Sequence, residues 1–212
     1  MNRALLSVPL AALALAGCGG GNKLDETLGL SVVRSACPAV AVAAYTGDIS
    51  LFSPPQSQDA RALDVMASIT NIRTTCDETG DVVHARVTFD VEARRSSRFG
   101  ERDVVLPYFA VVMRGGTKLM SKQQSRVQVH FKEGETRAIA TAAASADVQK
   151  SLASLPPIVR ERLSRKRKVG DADASIDPLA DPKVKAALNE ANFELIVGFQ
   201  LTDGQLAYNA TR

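Results

Sequence analysis

Tryptophan is absent, aromatic residues make up 5% of the chain and histidine occurs twice. The apolar share therefore falls to Val, Ala and other aliphatic residues, with Thr also plentiful. Two histidines with no further ligands spaced around them exclude a recognisable histidine metal centre. Charge of one sign is not in excess: the net charge is +3, which is no footprint for nucleic acid. No apolar run reaches the roughly 20 residues of a membrane-spanning helix. No Gly-x-Ser-x-Gly elbow is present and no Gly-rich phosphate loop follows a strand. No catalytic residues, metal ligands or cofactor are therefore expected.

Cysteine is scarce but placed informatively, at Cys18, Cys37 and Cys76. Arg3 and the apolar segment Ala4 to Ala16 form a leader too short to span a bilayer but suited to a signal peptide. It ends in Leu15-Ala16-Gly17-Cys18, the pattern of lipoprotein signal peptidase substrates. The reading is cleavage after residue 17 and acylation of Cys18, where two or three chains anchor stably and one does so only marginally. Gly19 in place of Asp leans the address toward the outer membrane, facing the periplasm. Removing Arg3 with the leader leaves a net charge of +2. Residues 18–35, opening Gly19-Gly20-Gly21-Asn22, read as a flexible tether, and residues 36–212 as one domain.

Cys37 and Cys76 remain as an even pair in an oxidising compartment, and a disulfide is expected. Two buried free thiols or a reactive pair are the alternatives. The bridge would close a loop worth about 4 kcal/mol on the chain-entropy estimate. A cysteine enzyme would need one of the two reduced, against the compartment.

From Val83 to Arg94 apolar and polar residues alternate without a break, the mark of a strand with one buried and one wet face. Further strands are expected at Ala39 to Ala44, Ile49 to Phe52, Ala67 to Thr75 with a bulge between Ile69 and Ile72, Val104 to Met113, Val127 to Phe131, Thr136 to Ala143 and Glu194 to Leu201. Arg95 to Arg102 reads as a polar hairpin loop, Arg114-Gly115-Gly116-Thr117 as a turn, and Pro107 as a bulge or an edge position. Strands joined by turns without helices between them indicate an all-β antiparallel sandwich. An immunoglobulin-like or fibronectin-like arrangement fits first and a small barrel second. Residues 147–181 read as a partly helical insertion. Asp181 and Pro182 then open a helix with Val184, Ala187, Leu188 and Ala191 on one face, and Thr202 with Gln205 caps a short C-terminal helix.

Cys37-Pro38, Leu106-Pro107-Tyr108-Phe109, Val197-Gly198-Phe199-Gln200-Leu201-Thr202 and Leu206-Ala207-Tyr208-Asn209 resemble a family of bacterial exported lipoproteins to which no activity is assigned. The likeness covers most of the mature chain. It implies the envelope address and no catalytic residues.

Three exposed features remain. His84 and His130 fall on the polar faces of their strands, as solvated residues do. Asp171, Asp173, Ser175 and Asp177 alternate like a calcium loop, but Ile176 and Pro182 stand where that loop needs Gly and Glu. Arg160, Arg162, Arg165, Lys166, Arg167 and Lys168 concentrate six cations against Glu161 alone. Such a run is usually a solvated face, and on a tethered protein it would also suit anionic headgroups or lipopolysaccharide phosphates. The expected function is a membrane-anchored, non-enzymatic envelope module with a protein partner. The alternative is an anionic-lipid-contacting module, and a hydrolase with dispersed residues stands behind both.

Overall fold

Alternation along one strand is converted directly into burial. Val83, Ala85, Val87, Phe89, Val91 and Ala93 are 0 to 4% exposed, while His84, Arg86 and Glu92 between them face solvent. In the computed structural model, which describes residues 35–165, 170 and 176–211, they lie on β4 (Val82–Arg95). The remaining strands are β1 (Ala39–Val42), β2 (Asp48–Phe52), β3 (Leu63–Asp77), β5 (Arg102–Arg114), β6 (Lys118–Phe131), β7 (Arg137–Gln149) and β8 (Phe193–Phe199). Four short α-helices lie among the described residues: α1 (Lys150–Ala153), α2 (Pro157–Ser164), α3 (Pro182–Glu190) and α4 (Asp203–Thr211).

The protein is mostly β, in two four-stranded sheets ordered β1-β8-β5-β6 and β2-β3-β4-β7. Both sheets feed one core: Val65, Val87 and Phe89 from the second meet Leu106, Val129 and Phe199 from the first. Phe89 and Tyr108 touch edge to face with ring centroids 5.4 Å apart. Each buried phenylalanine contributes roughly 1.5–3 kcal/mol, and four of them, Phe89, Phe131, Phe193 and Phe199, stand in this core. Pairing is antiparallel except between β1 and β8, which run parallel. A parallel pair needs a long crossover, and here nearly the whole domain lies between its two strands.

Several strand expectations change on pairing. Pro107 makes no bulge: it sits inside β5, whose register shift falls at Val112/Met113 instead. Its carbonyl accepts from Gln200 N–H at 2.9 Å, just past the last residue of β8, so the missing proline donor faces the end of that neighbour. β6 begins at Lys118 rather than near Val127 because β5 pairs with it throughout, although Lys118 to Arg126 are exposed. β7 runs on to Gln149, so 147–149 belong to the sheet and the inserted segment starts at Lys150. The bulge in β3 is present, with a register shift between Thr70 and Arg73 and Asn71 at φ 49°. Strands β2, β3 and β4, consecutive in sequence, lie side by side, which differs from the A-B-E-D order of an immunoglobulin sheet.

The strand directions define two ends. At one end lie Ser35 to Pro38, the β3–β4 turn, the β5–β6 turn, the exit of β7 into α1, and the passage from α3 into β8. At the other lie the β4–β5 and β6–β7 loops. α4 covers β2, where Asn209 Nδ2 donates to the carbonyls of Tyr45 and Asp48, both at 2.8 Å.

Candidate functional site

The first end is held by short polar devices and one covalent bond. Cys37 and Cys76 form a disulfide with Cα atoms 6.1 Å apart, closing a sequence separation of 39. Glu78 accepts from Ala36 N–H at 2.8 Å and from the Ser35 hydroxyl at 3.2 Å, so the start of the domain is fastened to the β3–β4 turn. Lys150 Nζ donates to the Glu78 carbonyl at 2.5 Å. The Asp77 carboxylate is held below its ordinary value, first by the Thr79 backbone N–H and then by the Thr79 hydroxyl. These contacts bring the N-terminal segment and the root of the helical insertion to one place.

The two histidines do not meet, because β4 and β6 lie in different sheets. His84 Nδ1 is 2.8 Å from Asp147 Oδ1, with both side chains mostly exposed. His130 Nδ1 is 2.8 Å from Asp103 Oδ1 and its Nε2 is 3.1 Å from Glu101 Oε1. The His130 bond is the first cause holding the Asp103 carboxyl below its ordinary value, with Gln128 adding to it. A histidine–carboxylate pair bathed in water lacks the dry, fixed surroundings that make acid–base groups effective. Among the described residues no group of three or more His, Cys, Asp or Glu is arranged to hold a metal ion.

Of the basic run, Arg160, Arg162 and Arg165 lie within the described residues and Lys166, Arg167 and Lys168 lie outside them. α2 has no buried residue, and Ile158 on it is 75% exposed. Arg162 is paired with Asp181, which also caps α3 by accepting from Lys183 N–H at 2.8 Å. The Asp181 carboxyl lies below its ordinary value chiefly through that cap. Helix α3 in turn buries Val184, 1% exposed, and Ala191 just past its end is 5% exposed. Asp177 caps the 3-10 turn at Pro178–Ala180 by accepting from Leu179 N–H at 2.8 Å. Asp171, Asp173 and Ser175 lie outside the described residues, as does Cys18.

Two features escaped the sequence reading. Arg95, assigned to a polar loop, is 3% exposed. Its guanidinium donates to four carbonyls, of Gly100 at 2.6 Å, Glu135 at 2.8 Å, Lys132 at 2.9 Å and Arg98 at 3.3 Å, and stacks over Phe131. The signal was present: the alternation that buries Val83 to Ala93 puts residue 95 on the same face. The other is an open cleft of about 270 Å³ between β6 and β7, lined by Arg86, Tyr108, Gln123, Ser125, Ala143 and Ser145 among others. There the core-facing row of β6 changes from buried Val127, Val129 and Phe131 to exposed Ser125 and Gln123. The Tyr108 hydroxyl donates across it to the Ala143 carbonyl at 2.8 Å. The cleft offers neutral polar groups and one guanidinium, with no nucleophile–base pair among its lining residues.

No described helix is long and apolar enough to cross a membrane. No family model, curated protein or solved structure matches the chain.

Proposed function

We propose that this protein is a lipid-anchored module of the bacterial cell envelope, a β-sandwich held to the membrane through Cys18 and acting by non-enzymatic contact with an envelope protein partner. The observation that carries the reading is the Cys37–Cys76 disulfide, since such bonds persist in oxidising compartments, taken with the Leu15-Ala16-Gly17-Cys18 pattern ahead of it. The resemblance to exported lipoproteins supports the same address, and Gly19 favours the outer membrane. Two sheets around one core support a sandwich, while the side-by-side β2-β3-β4 favours a connectivity other than the immunoglobulin one. Mass spectrometry of the native protein tests the anchor. A chain beginning at an acylated Cys18 is expected, and membrane fractionation lost on Cys18→Ala. A free Cys18 thiol on a chain with its leader intact overturns the proposal.

The second reading, contact with anionic lipid, is favoured by a separate observation. α2, with Arg160 and Arg165, departs from the end of the domain at which Ser35 and Ala36 are fastened to Glu78. Liposome flotation with and without Arg160 to Lys168 separates it from the first.

A further inference from the structure

We infer that the disulfide end of the domain is a docking face for an anionic lipid surface, so that the β4–β5 and β6–β7 loops point away from the membrane. This rests on the second reading and extends it from the basic helix to a whole face. The exposed apolar side chains there come from separate elements that the fold gathers at one end. Leu119 and Met120 open β6, Leu152 stands on α1, Ile158 on α2 and Leu179 in the turn before α3. Their exposures are 57%, 41%, 39%, 75% and 47%. The gathering is fixed by contacts: Gly115 N–H to the Asn192 carbonyl at 2.9 Å joins the β5–β6 turn to the end of α3, and Lys150 N–H to the Asp81 carbonyl at 2.8 Å joins α1 to the β3–β4 turn. The disulfide then locks the first residues of the domain between them.

Charge at this end is of both signs, with exposed cations among its residues. Of the carboxylates, Asp181 is paired with Arg162 and Glu190 with Arg114, Glu78 and Asp147 are hydrogen-bonded but keep their charge, and Asp81 and Glu161 are exposed. Lys118, Arg160, Lys183 and Lys185 are exposed and have no carboxylate partner among the described residues. Exposed apolar side chains together with unpaired cations are what an interfacial surface presents to anionic bilayers. Distance permits it as well. Cys18 precedes Ser35 by 17 residues, and even fully extended chain of that length reaches no more than roughly 60 Å. Anchoring near this end makes a weak contact intramolecular, which raises its occupancy without any new interaction.

The test uses the mature chain, residues 18–212 with Cys18→Ser and the disulfide formed, so that no acyl group contributes. It is floated with vesicles of phosphatidylcholine plus phosphatidylglycerol and, separately, of phosphatidylcholine alone. Binding to the mixed vesicles is expected, falling by roughly fivefold for each cation removed in Arg160→Ala and Lys185→Ala and further in Leu119→Ser/Ile158→Ser. All four positions are exposed, and circular dichroism verifies that each variant is folded. Because the chain lacks tryptophan, Ile158→Trp and Phe99→Trp each report one end. The first emission should shift to the blue on mixed vesicles and the second should not. No flotation of the parent chain, equal flotation of the variants, or a shift at Phe99→Trp instead overturns the docking face. Acylation of Cys18 is read independently by mass, so failure of the anchor and failure of the face are told apart.

Discussion

Arg95 is a buried cation that faces carbonyl dipoles rather than a carboxylate. Its hydrogen bonds tie the β4–β5 and β6–β7 loops to each other, alongside the backbone bond from Gly134 N–H to the Arg98 carbonyl at 2.9 Å. Arg95→Met keeps the stem over Phe131 but leaves buried carbonyls without donors. A loss of about 3 kcal/mol is expected from hydrogen bonds to a charged group, read as a lower urea midpoint at unchanged slope. Arg95→Lys should recover part of it, since three donors cannot replace the planar fork. A loss under the error of the measurement would show that water satisfies those carbonyls. Gly198 is constrained from the opposite direction. A Cβ there would lie 2.0 Å from Thr46 Oγ1 and 2.9 Å from Phe109 Cζ, so Gly198→Ala should destabilise by about 1–3 kcal/mol, as overpacking does. Thr46→Ala in the same chain should restore part of that, because the nearest atom is removed. Melting temperatures of the two single variants and the double variant measure both effects. The sequence could announce a close approach at Gly198 but not its partner, which the β1–β2 turn delivers from the far end of the chain.

Elements were legible where one face of a strand is wet and illegible where the neighbour decides. β4 could be read almost to the residue because each polar position along it opposes an apolar one. The first half of β6 could not: Lys118 to Arg126 are polar on both faces, and only the hydrogen-bonding needs of β5 make them a strand. β7 was cut short for a related reason, since Ala144 to Gln149 combine small and polar residues without a β-branched run. α3 was legible because its start is chemical rather than hydrophobic, an Asp181 cap followed by Pro182. β1 is the element most dependent on a covalent brace. It is four residues long, pairs only with β8, and begins two residues after Cys37. Cys37→Ser/Cys76→Ser should lower stability by about 4 kcal/mol on the loop-closure estimate. Amide exchange should then quicken first in Ala39–Val42, which opens locally once Cys37 is released. Uniform acceleration across both sheets would mean that the bridge braces the whole domain and not its first strand.

At the scale of the molecule, charge acts through a few carboxylates hydrogen-bonded to their neighbours. Asp77, Asp90, Asp103 and Asp181 all lie below their ordinary value of 3.8. For Asp90 the first cause is the Asn71 amide at the β3 bulge and the second the Thr141 hydroxyl on β7, so one carboxylate spans three strands. A carboxyl whose folded value is depressed binds its proton more weakly in the folded chain than in the unfolded one. Its contribution is therefore complete above the unfolded value and disappears as pH falls through the folded one. Because the four sites lie on both sheets and on the cap of α3, their losses add along a single cooperative transition. The melting temperature should be level from neutral pH down to about 5 and fall steadily below about 4. Replacing the four aspartates with Asn should lower stability at neutral pH and remove most of the acid slope. The parent and variant curves would then converge once every carboxyl is protonated. Parallel curves over the whole range would assign the acid loss to general cation repulsion, which for this chain is opposed by 23 acidic residues at neutral pH and unopposed in acid. Salt distinguishes the two in the same samples, since repulsion between distant exposed cations is screened within a Debye length of about 10 Å at 0.1 M while hydrogen-bonded carboxylates are screened far less.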